Sequence, residues 1–502
     1  MSRVSTNTVS LAYAIETSLG VLPGSPVWKL VEPNTISSFG PDITTVSRNP
    51  ISKDRQRKKG TITDLDSAAE FEADLTMEHF IDFSEGFCFA TFSGPIKFGP
   101  QETDDVTAVT GANSFTVDAN GDLDEGTLVY SRGFVFPVNN GIHRVDTGST
   151  GTNLLIDGDS ALIAEVTPPD KATVEVCGVE GATGDIEIDA SGNITSTVLD
   201  FTTLGLSVGQ VLWVGGVDDT DRFGTAASPA DERGFARITA IAATELTVDK
   251  KAVVWNADTG TGKTIHLYFG RFVRNVPVDD ADYIERSFQF EGAYPDLESV
   301  GVDGYEYSIG NYCNEMAIQL PLTDKATVTF GFVGIDTEPA TDTRKTGADS
   351  AIDPTQTVAF NTSSDIGRLR ITEIDETGLT TFFKNITLTL NNNVSPEKVL
   401  GTLGAAFMNT GNFDVDIEAQ ALFTNRDVTA AVRNNTTVTL DFSLRNDDGG
   451  LFFDIPSCTL GGGDKEFPEN ETVLINIPAM AFQDATLGTS IGISLFGFLP
   501  SS

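Results

Sequence analysis

The chain has 502 residues, of which 72 are Asp or Glu and 32 are Lys or Arg, so its formal net charge is −40. This acidic excess argues against nucleic-acid binding, because phosphate contacts are made chiefly by Lys and Arg. It fits either simple solubility or a surface that must repel a polyanion. The length predicts two to four domains, and runs of Val, Thr, Ile and Phe broken by Gly, Asn and Asp predict a mainly β chain.

The N-terminal part predicts an arm followed by a strand and a helix. Residues 1–35 carry little periodic pattern and are interpreted as an arm. Residues 69–75 alternate apolar and acidic side chains, which predicts a strand with one buried face and one acidic face. The apolar spacing over residues 77–87 predicts a helix directly after this strand.

A basic cluster precedes the acidic strand. Six basic residues fall within twelve positions, and a solvated loop is the simplest interpretation of them. The functional interpretation is a docking arm that meets an acidic surface on a neighbouring copy, where several charge pairs act together. A single exposed pair would contribute only about 0–1 kcal/mol. The cluster consists of Arg48, Lys53, Arg55, Arg57, Lys58 and Lys59.

Two stretches in the middle of the chain resemble each other. Each contains a Gly-x-x-Arg-Val/Ile segment, at residues 141–145 and 234–238, and each closes with an apolar triplet. They predict two small inserted β-barrels or sandwiches, of the kind that surface loops tolerate.

The sequence pattern of the first part of the chain then recurs. Residues 413–423 repeat the alternating acidic strand, and a short helix around Val428 follows, with Thr424 or Asn425 as its cap. Each copy closes with a strand that ends in Phe-Gly-Phe, so residues 491–498 are predicted to correspond to residues 328–332, and the Pro-terminated strand of residues 473–478 is predicted to correspond to residues 316–321. The repetition predicts a duplicated structural module. The predicted domains are residues 1–100 with 271–336, inserted modules 101–180 and 181–270, a Pro-, Thr- and Asp-rich linker 337–357, and a second domain 358–502.

Motifs for chemistry are weak throughout. Residues 259–264 look like a phosphate loop, but Ala257 stands where glycine is required, and the segment leads into a strand. Residues 118–122 mimic a calcium loop without its required glycine and glutamate. We therefore predict turns at both places, and no enzyme, catalytic residue, metal site or cofactor. No apolar run approaches the roughly 20 residues that span a membrane.

The histidines and cysteines support the same conclusion. His79, His143 and His266 fall on different predicted elements and show no metal-ligand spacing. The four cysteines are far apart and are expected to be buried free thiols. They are Cys88, Cys177, Cys313 and Cys458.

The ordered set of features resembles the tail tube proteins of long-tailed, siphovirus-type bacteriophages. The resemblance starts with residues 13–20 and 28–30, continues at residues 47–51 and 70–87, and returns at residues 329–334 and their C-terminal counterpart. It covers about residues 1–100 and 271–502 and leaves out the two inserted modules.

The resemblance implies a β-sandwich domain with a flanking helix and a long loop that reaches the next ring. Rings of six such domains stack into a hollow tube with an inner barrel and a negative lumen, through which DNA passes without specific binding. Two domains per chain then predict three chains per ring, with pseudo-sixfold symmetry. It also implies virion localisation, assembly in the host cytoplasm, a tape measure protein inside the growing tube, and contacts to tail terminator and distal tail or baseplate proteins.

The carboxylates of the two acidic strands are our first candidates for lumen-lining residues. Alternatively, they face outward or meet the basic arm of the next ring. A second class of function, a cell-surface or carbohydrate-binding multidomain β protein, stays open because the inserted modules resemble generic adhesion domains. The candidate lumen residues are Glu70, Glu72, Asp74, Asp414, Asp416 and Glu418.

Overall fold

The fold is built almost entirely from antiparallel strands. The described residues of the computed structural model form thirty-five strands and two α-helices, so the predicted mainly β class is confirmed. The structure describes residues 4–500 apart from 52, 54, 100, 101, 103, 112, 159, 160, 226, 227, 230–232, 250–254, 355, 356, 373–377 and 381.

The N-terminal segment is built into the fold. Its strands are β1 (Ser10–Ile15), β2 (Trp28–Val31), β3 (Pro33–Arg48) and β4 (Lys58–Asp74). β1 pairs with β2 on one side and with residues 288–293 on the other, and Tyr13 and Trp28 are buried there. The prediction of an arm is therefore wrong over residues 10–31, because strands of six and four residues are too short to give a periodic signal.

The first helix, α1 (Met77–Cys88), begins where the sequence predicts it. Phe80, Phe83 and Phe87 point into the core and have no exposed surface. The ring centroid of Phe83 lies 4.9 Å from that of Phe330, a residue of the sheet beneath the helix. Aromatic pairs at such distances add to the stabilisation that burial alone provides, so α1 is fixed on the sheet by its phenylalanine face.

The segment inserted into the first half of the chain forms a ten-stranded sheet over two apolar cores, together with one three-stranded and one two-stranded sheet. The strands are β5 (Lys97–Phe98), β6 (Val106–Thr110), β7 (Ser114–Val117), β8 (Thr127–Arg132), β9 (Gly141–Arg144), β10 (Asn153–Leu155), β11 (Thr173–Glu180), β12 (Glu187–Ile188), β13 (Ile194–Thr195), β14 (Val211–Val214), β15 (Gly224–Thr225), β16 (Ser228–Pro229), β17 (Gly234–Ala242), β18 (Glu245–Asp249) and β19 (His266–Tyr268). The ten-stranded sheet runs β12-β13-β18-β17-β14-β19-β11-β8-β9, with β5 attached to β11. β11 contributes Val174 and Val176 to the first core and Val179 to the second.

The first half of the chain resumes with five strands, and the predicted linker is partly a strand. The strands are β20 (Arg271–Arg274), β21 (Phe288–Ser299), β22 (Val302–Leu320), β23 (Thr327–Gly334) and β24 (Asp336–Thr341). β24 pairs with β22, and Ala348 is buried in the same cluster as Trp28. The linker prediction is thus wrong at residues 337–341 and 348, where polar and Pro-rich residues still pair or pack.

The second half contains the remaining strands and the second helix. In α2 (Asp427–Asn434), Val428 and Ala431 are buried, and the side chain of Asn425 accepts a hydrogen bond from the backbone N–H of Asp427 at 2.8 Å. The strands are β25 (Ile366–Thr372), β26 (Gly378–Thr380), β27 (Phe383–Asn391), β28 (Ser395–Glu397), β29 (Phe407–Asn409), β30 (Asp414–Leu422), β31 (Thr437–Asn446), β32 (Gly449–Leu460), β33 (Lys465–Glu466), β34 (Leu474–Ala481) and β35 (Gly492–Phe496).

One continuous sheet crosses both halves of the chain. Its central path is β3-β4-β23-β22-β27-β30-β34, and every neighbouring pair is antiparallel. The junction between the halves is the pairing of β22 with β27, which runs from Glu315 opposite Asn391 to Leu320 opposite Ile386. The two acidic strands, β4 and β30, therefore belong to the same sheet.

The strand order of the first half recurs in the second. In the first half the order is β3-β4-β23-β22, and in the second it is β27-β30-β34, with the end of β32 and β33 paired to the far side of β34. β34 thus occupies the place of β23, and β35 pairs with β32 as β24 pairs with β22. The predicted correspondences of residues 473–478 with 316–321 and of 491–498 with 328–332 are wrong, because alternation identifies a strand but not its neighbours.

The inserted sheet packs firmly against the second half. The ring of Phe235 lies 4.7 Å from that of Phe452 and 6.1 Å from that of Phe496. A buried ion pair joins Arg237 to Asp454 at 2.9 Å across the same contact. Because an ion pair of this kind needs both partners in place, the insertion and the second half form one packed unit.

Candidate functional site: an acidic sheet face and a basic hairpin

The carboxylates of the two acidic strands lie on one face of the continuous sheet. The strand registers place Asp416 opposite Thr389, then Ala317, Thr329 and Glu72 along a single row across five strands. Four strand spacings separate β4 from β30, which is about 19 Å. The two sequence patterns, 340 residues apart, thus produce one shared surface.

We call this surface the acidic face. Its strand segments, residues 70–74, 315–320, 327–333, 386–391 and 414–420, contain no Lys or Arg. Glu315 of β22 belongs to the face but was not predicted, although the alternation over residues 315–320 carries the signal. The acidic face consists of Glu70, Glu72, Asp74, Glu315, Asp414, Asp416 and Glu418.

Burial explains why these strands turn their carboxylates outward. Phe71 and Ala73 of β4 and Val415 and Ile417 of β30 are at most 2% exposed. Because side chains alternate between the two faces of a strand, residues between them must point to the opposite side. The apolar residues therefore fix the orientation of the acidic ones.

The acidic face is crowded with like charge around Asp416. Partial burial, together with the neighbouring carboxylates of Asp414 and Glu418, raises the pKa of Asp416 above its ordinary value. Two positions at its borders are partly compensated: Asp74 pairs with Lys325 at 2.6 Å, and Asp414 accepts a hydrogen bond from the amide of Asn393 at 2.7 Å. The centre of the face is left as a negative surface open to solvent.

The basic cluster lies at the end of a protruding two-stranded ribbon. β4 pairs with β23 only from Asp74 back to Ser67, whereas its pairing with β3 continues to Lys58. The ribbon therefore leaves the sheet beyond Ser67. Its basic end, which we call the basic tip, is exposed and consists of Arg48, Lys53, Arg55, Arg57, Lys58 and Lys59.

The ribbon also exposes apolar side chains along its length. Ile43, Val46, Ile51 and Ile62 are 45%, 56%, 108% and 51% exposed. An isolated two-stranded ribbon is marginally stable in water, and a row of exposed apolar residues rimmed by charge is typical of an interaction surface. The ribbon therefore combines exposed apolar and basic side chains on one protruding element.

The acidic face and the basic tip are far apart within one chain. Lys58 and Glu70 are twelve residues apart along β4, which corresponds to about 40 Å of extended strand. The matching loop of the second half is shorter and folds back, so that the ammonium of Lys398 contacts Asp64 at 2.5 Å and Asp66 at 2.6 Å. The two halves thus differ at this position: the first carries a protruding basic ribbon, and the second carries a loop held back by its single lysine.

The weaker motifs form ordinary structure. The backbone N–H of Lys263 donates to the carbonyl of Gly260 at 2.9 Å, which is a turn as predicted. His143 is buried against Ser131 and burial lowers its pKa, whereas His266 contacts Glu180 at 2.9 Å. The side chain of His79 lies outside the described residues.

All four cysteines are buried and free, and burial raises the pKa values of Cys88 and Cys458 to about 12. Such thiols are inert at neutral pH. In the part of the chain that the structure describes, neither helix has the length and apolar character needed to cross a membrane.

An acidic sheet shared by two halves, with a protruding charged ribbon, defines a structural β protein that acts through its surfaces. The model of the phage tail tube protein family matches residues 6–481, and the chain belongs to that family. No curated protein matches it in sequence. It is accordingly a structural component of the tail tube and of the virion.

Proposed function

We propose that this chain polymerises into stacked rings that form a hollow tube, with the acidic face lining a conduit for DNA. The observation that supports this proposal most directly is the position of both acidic strands on one face of one sheet. Strand segments without Lys or Arg, lined by carboxylates, repel phosphates. DNA would then slide past it without binding.

The junction between the two halves suggests how chains join. Beyond Asn311, β22 is no longer covered by β21, and β27 takes that edge from Glu315 onward. In the second half, β31 covers β32 only as far as Thr459. The next residues, 460–466, pair with β34 and with no other strand among those the structure describes.

A second open edge lies at the other end of the sheet. β3 pairs only with β4 among the described strands, so residues 33–40 present an unpaired side. In strand order β3 corresponds to β27, and residues 460–466 correspond to the part of β22 that pairs with β27. We infer that residues 460–466 of one chain pair with residues 33–40 of the next, which removes both exposed edges.

The same junction repeated around an axis predicts the size of the ring. Each chain supplies eight strand segments, and three chains supply twenty-four, with twenty-one acidic-face carboxylates (3 × 7). At about 4.8 Å per strand and a tilt of about 40°, the backbone diameter is about 48 Å. Side chains that occupy about 5 Å on each side leave a lumen of roughly 38 Å.

Ring stacking is assigned to the ribbon. The basic tip reaches beyond the sheet and meets carboxylates of the next ring, while its exposed apolar residues are covered by the same contact. A tape measure protein would occupy the lumen during assembly, and tail terminator and distal tail proteins would contact the two end rings. Assembly of these parts takes place in the host cytoplasm under this proposal.

Cryo-electron microscopy of assembled tubes tests the proposal. We expect three chains per ring, with twenty-four strands around the lumen and the acidic face turned inward. Six chains per ring would overturn the stoichiometry. An acidic face on the outer surface would overturn the conduit role, whatever the number of chains.

A further inference from the structure

The end of the sheet that lies opposite the basic ribbon carries an exposed loop of the second half. β4 runs from Lys58 at the basic tip to Asp74, so Asp74 marks the opposite end of the sheet. The strand registers place Pro478 of β34 in the same row as Asp74. β34 begins at Leu474, four residues beyond this row, so the loop that precedes it, residues 467–473, lies at that end of the sheet.

This loop exposes an aromatic ring beside two carboxylates. Phe467 is 76% exposed, and the side chains of Glu469 and Glu471 are exposed as well. We call residues 467–473 the acidic loop, because they contain no Lys or Arg. Arginine fits such a surface, since a guanidinium group can stack on an aromatic ring and donate hydrogen bonds to carboxylates.

One cation precedes the acidic loop and does not reverse its charge. Lys465 of β33 lies between Asp464 and Glu466, and its ammonium is 4.8 Å from the ring centroid of Phe423. With this lysine counted, residues 464–473 still carry four carboxylates and one cation. The whole segment is therefore negative.

Hydrogen bonds hold the acidic loop in shape. The backbone N–H of Phe423 donates to the carbonyl of Val473 at 2.9 Å, and that of Glu471 donates to the carbonyl of Pro468 at 3.4 Å. Between them Asn470 adopts a φ of 62°, a left-handed conformation that asparagine tolerates. The two carboxylates are thus presented on a formed turn, so little ordering is needed before a partner binds.

The corresponding loop of the first half is neutral. β34 occupies the place of β23, so the acidic loop corresponds to residues 321–326. Those residues contain Asp324 and Lys325, and the ammonium of Lys325 contacts Asp74 at 2.6 Å. Each chain therefore carries one basic ribbon, on its first half, and one acidic loop, on its second half.

The ribbon is long enough to cross from one ring to the next. From Ser67, where β4 leaves the sheet, to Lys58 it extends over nine residues, which is about 30 Å of strand. The part of β4 inside the sheet, from Ser67 to Asp74, spans about 23 Å. Rings that stack in one orientation bring the ribbon end of one ring against the loop end of the next.

We propose that the basic tip of each chain docks on the acidic loop of a second copy in the next ring. The inference rests on the proposed stacking of rings, and it adds that the first half of one chain meets the second half of another. The guanidinium groups of Arg55 and Arg57 meet the two carboxylates, and Ile51, which is 108% exposed, packs on Phe467. Because each copy has a net charge of −40, contact between copies requires opposite charges at the interface.

Charge reversal in the purified full-length chain tests this contact. In the loop variant, Glu469→Lys and Glu471→Lys make the acidic loop basic, and we expect rings that do not stack into tubes by negative-stain microscopy. Since one exposed ion pair changes an affinity about twofold, about six pairs in a three-chain ring should raise the ring concentration needed for stacking about 60-fold. The ribbon variant should behave in the same way, and it carries Arg48→Glu, Arg55→Glu, Arg57→Glu and Lys59→Glu.

Combining the two sets of substitutions provides the decisive comparison. The combined variant has an acidic tip and a basic loop, so it should form tubes again. Separately prepared rings of the ribbon variant and the loop variant should also stack when mixed, because each then offers the other an opposite charge. Glu469→Gln with Glu471→Gln removes the charge without reversing it and should stack at an intermediate concentration.

A matched control separates this contact from general repulsion between copies. Asp122 and Asp124 are exposed on the inserted region and have the same spacing as Glu469 and Glu471. Asp122→Lys with Asp124→Lys should therefore stack as the wild type does. Melting temperatures, together with the rings themselves, show that each variant is folded.

Three results would overturn the inference and leave the proposed tube in place. The first is a loop variant that stacks at the wild-type concentration, and the second is a folded combined variant that stays as single rings. The third is an equal loss of stacking in the Asp122 and Asp124 control. If the wild type itself forms no tubes, the proposed function fails, and this inference fails with it.

Discussion

The proposed ring closure depends on one apolar residue at the open edge of β3. Ile36 lies opposite the buried Phe71 on the core side of the sheet, yet it is 37% exposed because no strand covers its other side. In the strand that corresponds to β3, Ile386 and Leu388 are at most 1% exposed, since β22 covers them. If a neighbouring chain covers β3 as β22 covers β27, Ile36 becomes buried between chains.

The exposed fraction of Ile36 sets the expected magnitude. Full burial of an isoleucine side chain stabilises by about 1.5–3 kcal/mol, so covering the remaining 37% contributes about 0.6–1.1 kcal/mol at each junction. Ile36→Asp removes this contribution and places a carboxylate between the chains, which costs several kcal/mol. A total of about 3 kcal/mol per junction weakens each chain-to-chain contact by roughly 150-fold.

Native mass spectrometry and negative-stain microscopy measure the outcome. Ile36→Asp should give folded monomers where the wild type gives rings and tubes. Ile163→Asp is the matched control, because Ile163 is 45% exposed on the inserted region, away from both open edges. Thermal melting should show both variants folded.

Two results would refute the reasoning. Rings of unchanged stability in the Ile36 variant would mean that β3 is not a chain-to-chain edge. An equal loss of rings in the Ile163 variant would mean that the insertion, rather than the sheet edge, carries the contact. Either result leaves the family assignment untouched and changes only the ring architecture.

Three further predictions follow from the acidic face, the basic tip and the buried ion pair. Neutralising the three β30 carboxylates with Asn or Gln should leave tubes intact and slow DNA ejection, measured as release over time from phage; failed polymerisation would instead make them a docking surface. Arg55→Glu with Lys58→Glu should leave rings that do not stack, seen by microscopy, whereas Ile163→Asp should stack normally. Burial, reinforced by Asp441, raises the pKa of Asp454 from 3.8 to about 6. The folded chain therefore binds the proton of Asp454 more tightly than the unfolded chain does. Protonation of Asp454 stabilises the fold fully below pH 4, and this contribution is lost as the pH rises through 6. Part of the change in melting temperature between pH 5 and pH 7 should therefore come from Asp454 and be absent in the Asp454→Asn variant. The same pH dependence of melting temperature in both proteins would contradict the raised pKa of Asp454.

The sequence predicts local elements well because alternation and helical spacing are local properties. The strands around Phe71 and Ile417 and the helix from Met77 are found where the patterns place them. The shared acidic face is not visible in the sequence, because it depends on β23, β22 and β27 lying between the two acidic strands. Glu315 was missed because the face it belongs to is assembled from other strands: Gly331 of β23 lies opposite it on one side and Asn391 of β27 on the other.

The structure also explains why short strands escape sequence analysis. Trp28 belongs to a four-residue strand whose partner, β1, is fourteen residues away, and it is stabilised by long-range contacts such as its ring pair with Tyr307 at 6.0 Å. Strands of this length carry at most two residues per face, which is too few for a periodic signal. Burial of a large aromatic ring compensates for the short ladder.

The difference between the two halves has a consequence for how rings stack. A ring of six identical domains would carry six equal ribbons, and successive rings could settle at any of six equivalent rotations. In this chain only the first half carries the long basic ribbon, whereas the loop of the second half is held by Lys398 against the base of that ribbon. A ring of three chains then presents three ribbons, with 120° between them. Under the proposed three-chain ring, stacking would be restricted to three rotations, and the duplicated and diverged chain would also fix the angular position of the inserted sheets along the tube.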